Sequence, residues 1–155
     1  MNAAFVASGL LIAIGAVGVF RAIPGLSSRA RTTYTAIFAL AGLGLVIDGL
    51  FTLEQIMAHT LGFGLGIGAL VVGYFLAGRA LRRMPAWRGA GTLALVASGL
   101  TIGLTVVFFA TFSPTPEGAT TGIAGLTERI LVVEALLPIA VLGWLTYARG
   151  GTRRN

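Results

Sequence analysis

Cysteine and lysine are both absent from this chain, histidine occurs once, and charge of either sign is scarce. Without cysteine there are no disulfides, no thiolate metal sites and no cysteine nucleophile. Without lysine, Schiff-base chemistry is excluded, a retinal linkage included. The single histidine, His59, excludes bis-histidine haem ligation within one chain. Charged residues make up only 10% of the sequence, against roughly 25% in an ordinary soluble domain. Water is therefore not the main solvent of the folded chain. The five carboxylates are scattered as Asp48, Glu54, Glu117, Glu128 and Glu134. Together with His59 they show no metal-ligand spacing of the His-Glu-x-x-His kind, and no Ser-His-acid order stands out. No metal and no cofactor is expected.

What the chain does have is apolar length. Hydrophobic residues reach 56% and the mean hydropathy is +0.92. A membrane span needs about 20 mostly apolar residues to cross a core of roughly 30 Å. Five segments qualify, at 3–21, 33–52, 59–78, 91–112 and 127–148. These predict an all-α polytopic transmembrane helix bundle of five spans, forming a single domain over 1–155. Pro24, Pro85, Pro114 and Pro116 fall in the links, where a missing N–H does no harm. Pro138 lies inside the last span and is expected to kink it.

All eleven basic residues are arginine, and ten of them fall on one side of this bundle. Arg21, Arg29 and Arg31 lie in the first link, Arg79, Arg82, Arg83 and Arg88 around the third, and Arg149, Arg153 and Arg154 in the tail. Short basic loops stay in the cytoplasm, so the carboxy terminus is expected inside and the amino terminus outside. Tyr34, Tyr74, Trp87, Trp144 and Tyr147 map near the same face, as an aromatic belt would. Because the arginines sit between apolar segments, their counter-charge is expected to be lipid headgroups rather than nucleic acid. A homo-oligomer or a membrane partner protein stays open.

The stretch "HTLGFGLGIGAL" places glycine at 62, 64, 66 and 68. A strand here would leave edges in lipid, and Ile67 stands where a dinucleotide fingerprint needs its third glycine. On a helix turning about 100° per residue, Gly62 and Gly66 share one face and Gly64 and Gly68 nearly the opposite one. Both pairs have the spacing that lets helices approach closely, which predicts a central third span grooved on two sides, with Gly73 extending the first groove. Gly99 and Gly103 of the fourth span are expected to offer a matching surface. Residues 6–12, "VASGLLI", echo 96–102, "VASGLTI", three spans on; a true repeat at that distance would be an inverted one.

Ionisable groups in hydrocarbon are costly, so those in the spans carry the functional signal. Asp48 lies inside the outer end of the second span, on a face with Ala41, Gly44 and Thr52. Glu54 and His59 flank the short outer link. Glu128 and Arg129 open the fifth span, and Glu134 lies deeper with no evident partner. Asp48, Glu54, His59, Glu128, Arg129 and Glu134 are thus the candidate ligand-binding residues. Arg129, the sole outer arginine, is expected to pair with Asp48, since a pair loses less on leaving water than either ion alone. His59, near the wet end, is expected to make no tight contact, so that its removal leaves stability almost unchanged.

Three stretches resemble a known family. They are "NAAFVASGLLIAIGAVGVFRAIP", then "GLGLVIDGLF" with Glu54 and His59 after it, and "GLTERILVVEALLPIAVLGWL". The chain resembles the bacterial membrane family catalogued as domain of unknown function 998 along nearly its whole length. The most specific pieces are Gly49-Leu50-Phe51 followed by an acid and His59, and Gly125-Leu126-x-Glu128-Arg129. The resemblance implies functional positions at Glu54, His59 and Arg129, although "GLFTLE" departs from the family's usual Phe-Pro followed by Asp. It also implies six spans, with Asn2 falling where the second begins, so a further helix is expected to precede this chain. It places the protein in a bacterial inner (plasma) membrane and brings no activity.

The leading functional expectation is a membrane protein that binds a lipid or small molecule in an outer-leaflet polar pocket. Two other readings stand beside it. One is a structural or partner-binding membrane subunit whose ion pair fixes helix register. The other is an extracytoplasmic-face hydrolase or transferase using His59 with Glu54 or Asp48, which would need histidine and carboxylate about 3 Å apart.

Overall fold

The structure is a computed structural model that describes residues 2–112 and 122–151. Pro114, Pro116, Glu117, Arg153 and Arg154 lie outside the described residues. Five helices follow one another: α1 (Asn2–Ala22), α2 (Ser28–Leu50), α3 (Ile56–Arg82), α4 (Arg88–Thr111) and α5 (Ala124–Gly151). Short 3-10 turns, Leu53–Gln55 and Pro85–Trp87, lead into α3 and α4. No strand occurs among the described residues, and all five helices are long and apolar enough to cross a membrane. The chain is an integral membrane protein with an all-α helical bundle.

Several helices run beyond the apolar segments into polar sequence. The second span starts at Ser28 rather than 33, where the Ser27 hydroxyl accepts from the Ala30 N–H at 3.2 Å, which satisfies one of the four N–H groups that a helix start leaves unpaired. It ends at Leu50, so Thr52 lies outside the helix that carries Asp48. The third begins at Ile56, three residues before His59, and continues through Arg79 to Arg82.

Each helix packs against the next in the chain, and α5 also meets α1, less extensively than any two consecutive helices meet. The glycines decide how closely α2 and α3 approach. A Cβ on Gly62 would lie 2.5 Å from the Asp48 nitrogen, and one on Gly44 would fall on the Gly66 backbone. Gly9 and Gly42 bring α1 against α2 in the same way, and Gly78 and Gly91 bring α3 against α4. Gly73 admits the Phe38 ring, which stands in a buried line of aromatics. The Phe20 and Phe38 centroids are 5.3 Å apart, as are those of Phe38 and Tyr74.

The expected second groove of α3 is not packed. Cβ atoms on Gly64 and Gly68 would meet nothing within 4 Å, nor would those on Gly99 and Gly103. An apolar cleft of about 360 Å³ lies there instead, which Gly64 and Gly68 line with Phe63, Ile67 and Ile102. The two echoing segments differ in packing at their glycine: Gly9 is packed on α2, while its equivalent Gly99 is exposed. Of the expected aromatic belt, Trp144 and Tyr147 are exposed on α5. Trp87 is instead buried, with the Arg149 guanidinium 4.3 Å over its ring. Tyr74 is fully buried, and its hydroxyl donates to the Ala135 carbonyl of α5 at 2.5 Å. That bond falls within a turn of Pro138, where the helix lacks an N–H for the Glu134 carbonyl. The helix runs on through the proline.

Candidate functional site

At the end of the bundle opposite the arginine-rich links, α2 stops and α3 starts. The last turn of any helix leaves carbonyls without internal partners. In α2 the Phe51 N–H closes one of them, bonding the Ile47 carbonyl at 3.0 Å. The chain then turns through Leu53–Gln55 and re-enters as α3. Because Gly62 has no side chain, α3 comes down on the Asp48 backbone. His59, three residues earlier on α3, is thereby carried to the end of α2. Its Nδ1 lies 2.9 Å from the Phe51 carbonyl oxygen and 3.2 Å from that of Asp48. It also lies 3.1 Å from Asp48 Oδ1. The histidine therefore caps α2 from a different helix, where a cationic or donor group at the carboxy end is favourable.

Asp48 faces inward with its side chain 1% exposed, whereas that of His59 is 21% exposed. Neither carboxylate oxygen has a hydrogen-bond partner, because the histidine N–H is shared between the two backbone carbonyls. The contact with Oδ1 is an ion-pair contact by distance alone. Glu128, half-buried at the start of α5, lies within electrostatic reach of both His59 and Asp48.

The remaining sequence candidates are distributed differently. Arg129 does not pair with Asp48: it is exposed on α5, while His59 occupies the place beside the carboxylate. With Glu128, Val132 and Val133 it faces Ala4, Phe5 and Ser8 of α1 across a groove of about 140 Å³. Glu54 is exposed on the 3-10 turn and is not part of the pair. Glu134 lies six residues beyond Glu128, about 9 Å further along the helix. It is not unpartnered: the Thr101 hydroxyl of α4 donates to its Oε2 at 2.8 Å. The same hydroxyl lies 2.8 Å from the Ala97 carbonyl, so its one hydrogen serves two acceptors.

Asp48 and His59 thus come together, Glu128 lies within electrostatic reach of the pair, Arg129 sits beside Glu128 on the groove, and Glu54 and Glu134 stand apart. Sequence reasoning missed two polar contributors. Ser8 carries no signal beyond being a hydroxyl in an apolar helix. Thr101 is a threonine in a span, and such residues commonly bond back within their own helix, so its reach to Glu134 is invisible in the sequence. Among the described residues, no three His, Asp or Glu side chains converge as a metal ion would require. The arrangement can accept a proton at the histidine, and it can hold a charged group at the rim of an apolar groove.

Set against known proteins, the chain matches one family model over residues 1–145, described as "Protein of unknown function (DUF998)". No curated protein matches it, and neither does any solved structure.

Proposed function

The chain belongs to that DUF998 family, which supplies no activity, and from the geometry we propose that it binds an amphiphile in the groove between α1 and α5. The observation that carries this reading is the groove's make-up. Its walls are Ala4, Phe5, Val132 and Val133, and its polar atoms come from Ser8, Glu128 and Arg129. An apolar trough with a few convergent polar groups is the usual form of a small-molecule site. At roughly 30 Å³ for each group the size of a water molecule, about 140 Å³ admits four or five groups, enough for a headgroup or a short length of acyl chain. Arg129 suits a phosphate or carboxylate, and Glu128 beside it suits an ammonium. The groove opens where α1 and α5 meet less extensively than any two consecutive helices do, so a lipid can enter from the side. The arginine asymmetry supports an orientation with this end in the outer leaflet, and membrane lipids are the partners proposed.

Native mass spectrometry of the purified chain tests the reading. A retained lipid adduct is expected, and Arg129→Ala should remove it without unfolding the protein, since Arg129 is exposed. Added extracted lipid should raise the melting temperature of the unaltered chain, as any ligand of the folded state does, and should leave that of Arg129→Ala unmoved. A bare chain, or an adduct indifferent to Arg129, would sink the proposal.

A further inference from the structure

The buried carboxylate of Asp48 lacks an explanation in packing. It sits in the last turn of a span, its side chain is 1% exposed, and neither oxygen has a hydrogen-bond donor. A lone carboxylate in such a place is costly. The group within contact that can become a cation is His59, at 3.1 Å. Three oxygens surround His59 Nδ1: the Phe51 carbonyl, the Asp48 carbonyl and Asp48 Oδ1. With acceptors alone around it, Nδ1 carries the hydrogen and donates. The ring's lone pair then resides on Nε2.

We propose that Asp48 and His59 form a proton-binding site, loaded through His59 Nε2 from the aqueous end opposite the arginine-rich links. The pair divides the work between a dry member and a wet one, 1% and 21% exposed. A proton from water adds to Nε2 and makes the ring an imidazolium, with Nδ1–H unchanged. The pair passes from net negative to neutral, and the buried carboxylate gains a counter-charge with no side chain moving. Release to water reverses the step, and no other reactant is needed. Charged groups reach His59 from two elements: Asp48 on α2 and Glu128 on α5, the latter neighboured by Arg129. Glu54 is exposed on the preceding turn. This inference does not depend on the α1–α5 groove being occupied. A ring held at Nδ1 beside a carboxylate, with Nε2 available, is also the arrangement of a general base, and it is the first thing an enzyme acting at this face would need.

The single histidine makes the test direct, because isotope-labelled histidine gives one ring in the nitrogen spectrum of the full chain in detergent. At alkaline pH the hydrogen is expected on Nδ1 and the lone pair on Nε2, with Nε2 becoming protonated on acidification. Diethyl pyrocarbonate should add a single carbethoxy group, at His59. Asp48→Asn should move the titration midpoint of the ring, and Glu128→Gln should move it by less. A role confined to capping α2 would leave the midpoint where it is. A lone pair on Nδ1, a ring that neither titrates nor reacts, or a midpoint unmoved by the loss of Asp48 would overturn the proposal. Should Asp48→Asn fail to fold, the tautomer of the unaltered chain and the shift in Glu128→Gln still decide it.

Discussion

His59 joins two helices through one ring nitrogen. It bonds the carbonyls that end α2 and stands against the buried Asp48 carboxylate. Truncating it would leave two carbonyls unmet and a carboxylate with no counter-group. A buried carbonyl left without its donor commonly costs about 1–3 kcal/mol. His59 is partly exposed and serves two such carbonyls, so His59→Ala should cost about 3 kcal/mol, read as a large fall in melting temperature without any ligand. Adding Asp48→Asn should recover part of that loss, because the stranded charge is gone and the remaining cost is the lost cap. Simple additivity of the two changes would mean that the pair carries no interaction energy. The expectation from sequence, that His59 could be removed almost without effect, is reversed by this geometry. Nothing in the sequence shows that Gly62 delivers the residue three positions before it to the end of another helix.

At the scale of the element, α3 presents two glycine faces of identical spacing and opposite fate. Gly62 and Gly66 lie against the α2 backbone, and Gly64 and Gly68 against nothing within 4 Å. Gly62→Ala would set a Cβ 2.5 Å from the Asp48 nitrogen, a contact that only a shift of the helices relieves. Overpacking of this kind should cost about 2 kcal/mol, and it should also loosen the Asp48–His59 pair. Gly64→Ala should leave melting unchanged or raise it, since alanine gains up to about 1 kcal/mol over glycine in a helix interior. The pair of melting curves separates the faces; equal losses would show that the second face is packed as well. Helical spacing identified both faces, but which one meets a neighbour depends on where α2 and α4 lie. That is a matter of the rotation of α3 in the bundle, which a repeating small-residue pattern leaves open.

The whole molecule is an asymmetric bundle. The arginines of the two short links and Arg149 gather at one end, and the Asp48–His59 pair, Glu128 and Arg129 lie at the other. Because cysteine is absent, single cysteines report sidedness cleanly. Ser28 and Glu54 are exposed at opposite ends. An impermeant thiol reagent on intact cells should label Glu54→Cys and leave Ser28→Cys untouched, as retention of basic loops inside requires. The opposite labelling would place the groove and the pair at the cytoplasmic face.

Composition and the length of the apolar runs determined by themselves an all-α membrane protein, with five apolar helices among the described residues. The physical reason is that a lipid core admits few backbones, and a helix satisfies its polar groups within its own sequence. Family membership was legible for a related reason, in local strings such as "GLTERILVVEALLPIAVLGWL". Contacts between helices were not. Sequence chose Arg129 as the partner of Asp48 by charge, whereas tertiary structure gives it His59. Sequence left Glu134 without a partner, and the bundle supplies Thr101 from α4. Depth along a span follows from counting residues. The neighbour across the interface follows from rotation and close approach, and those are set only when glycines on different helices meet.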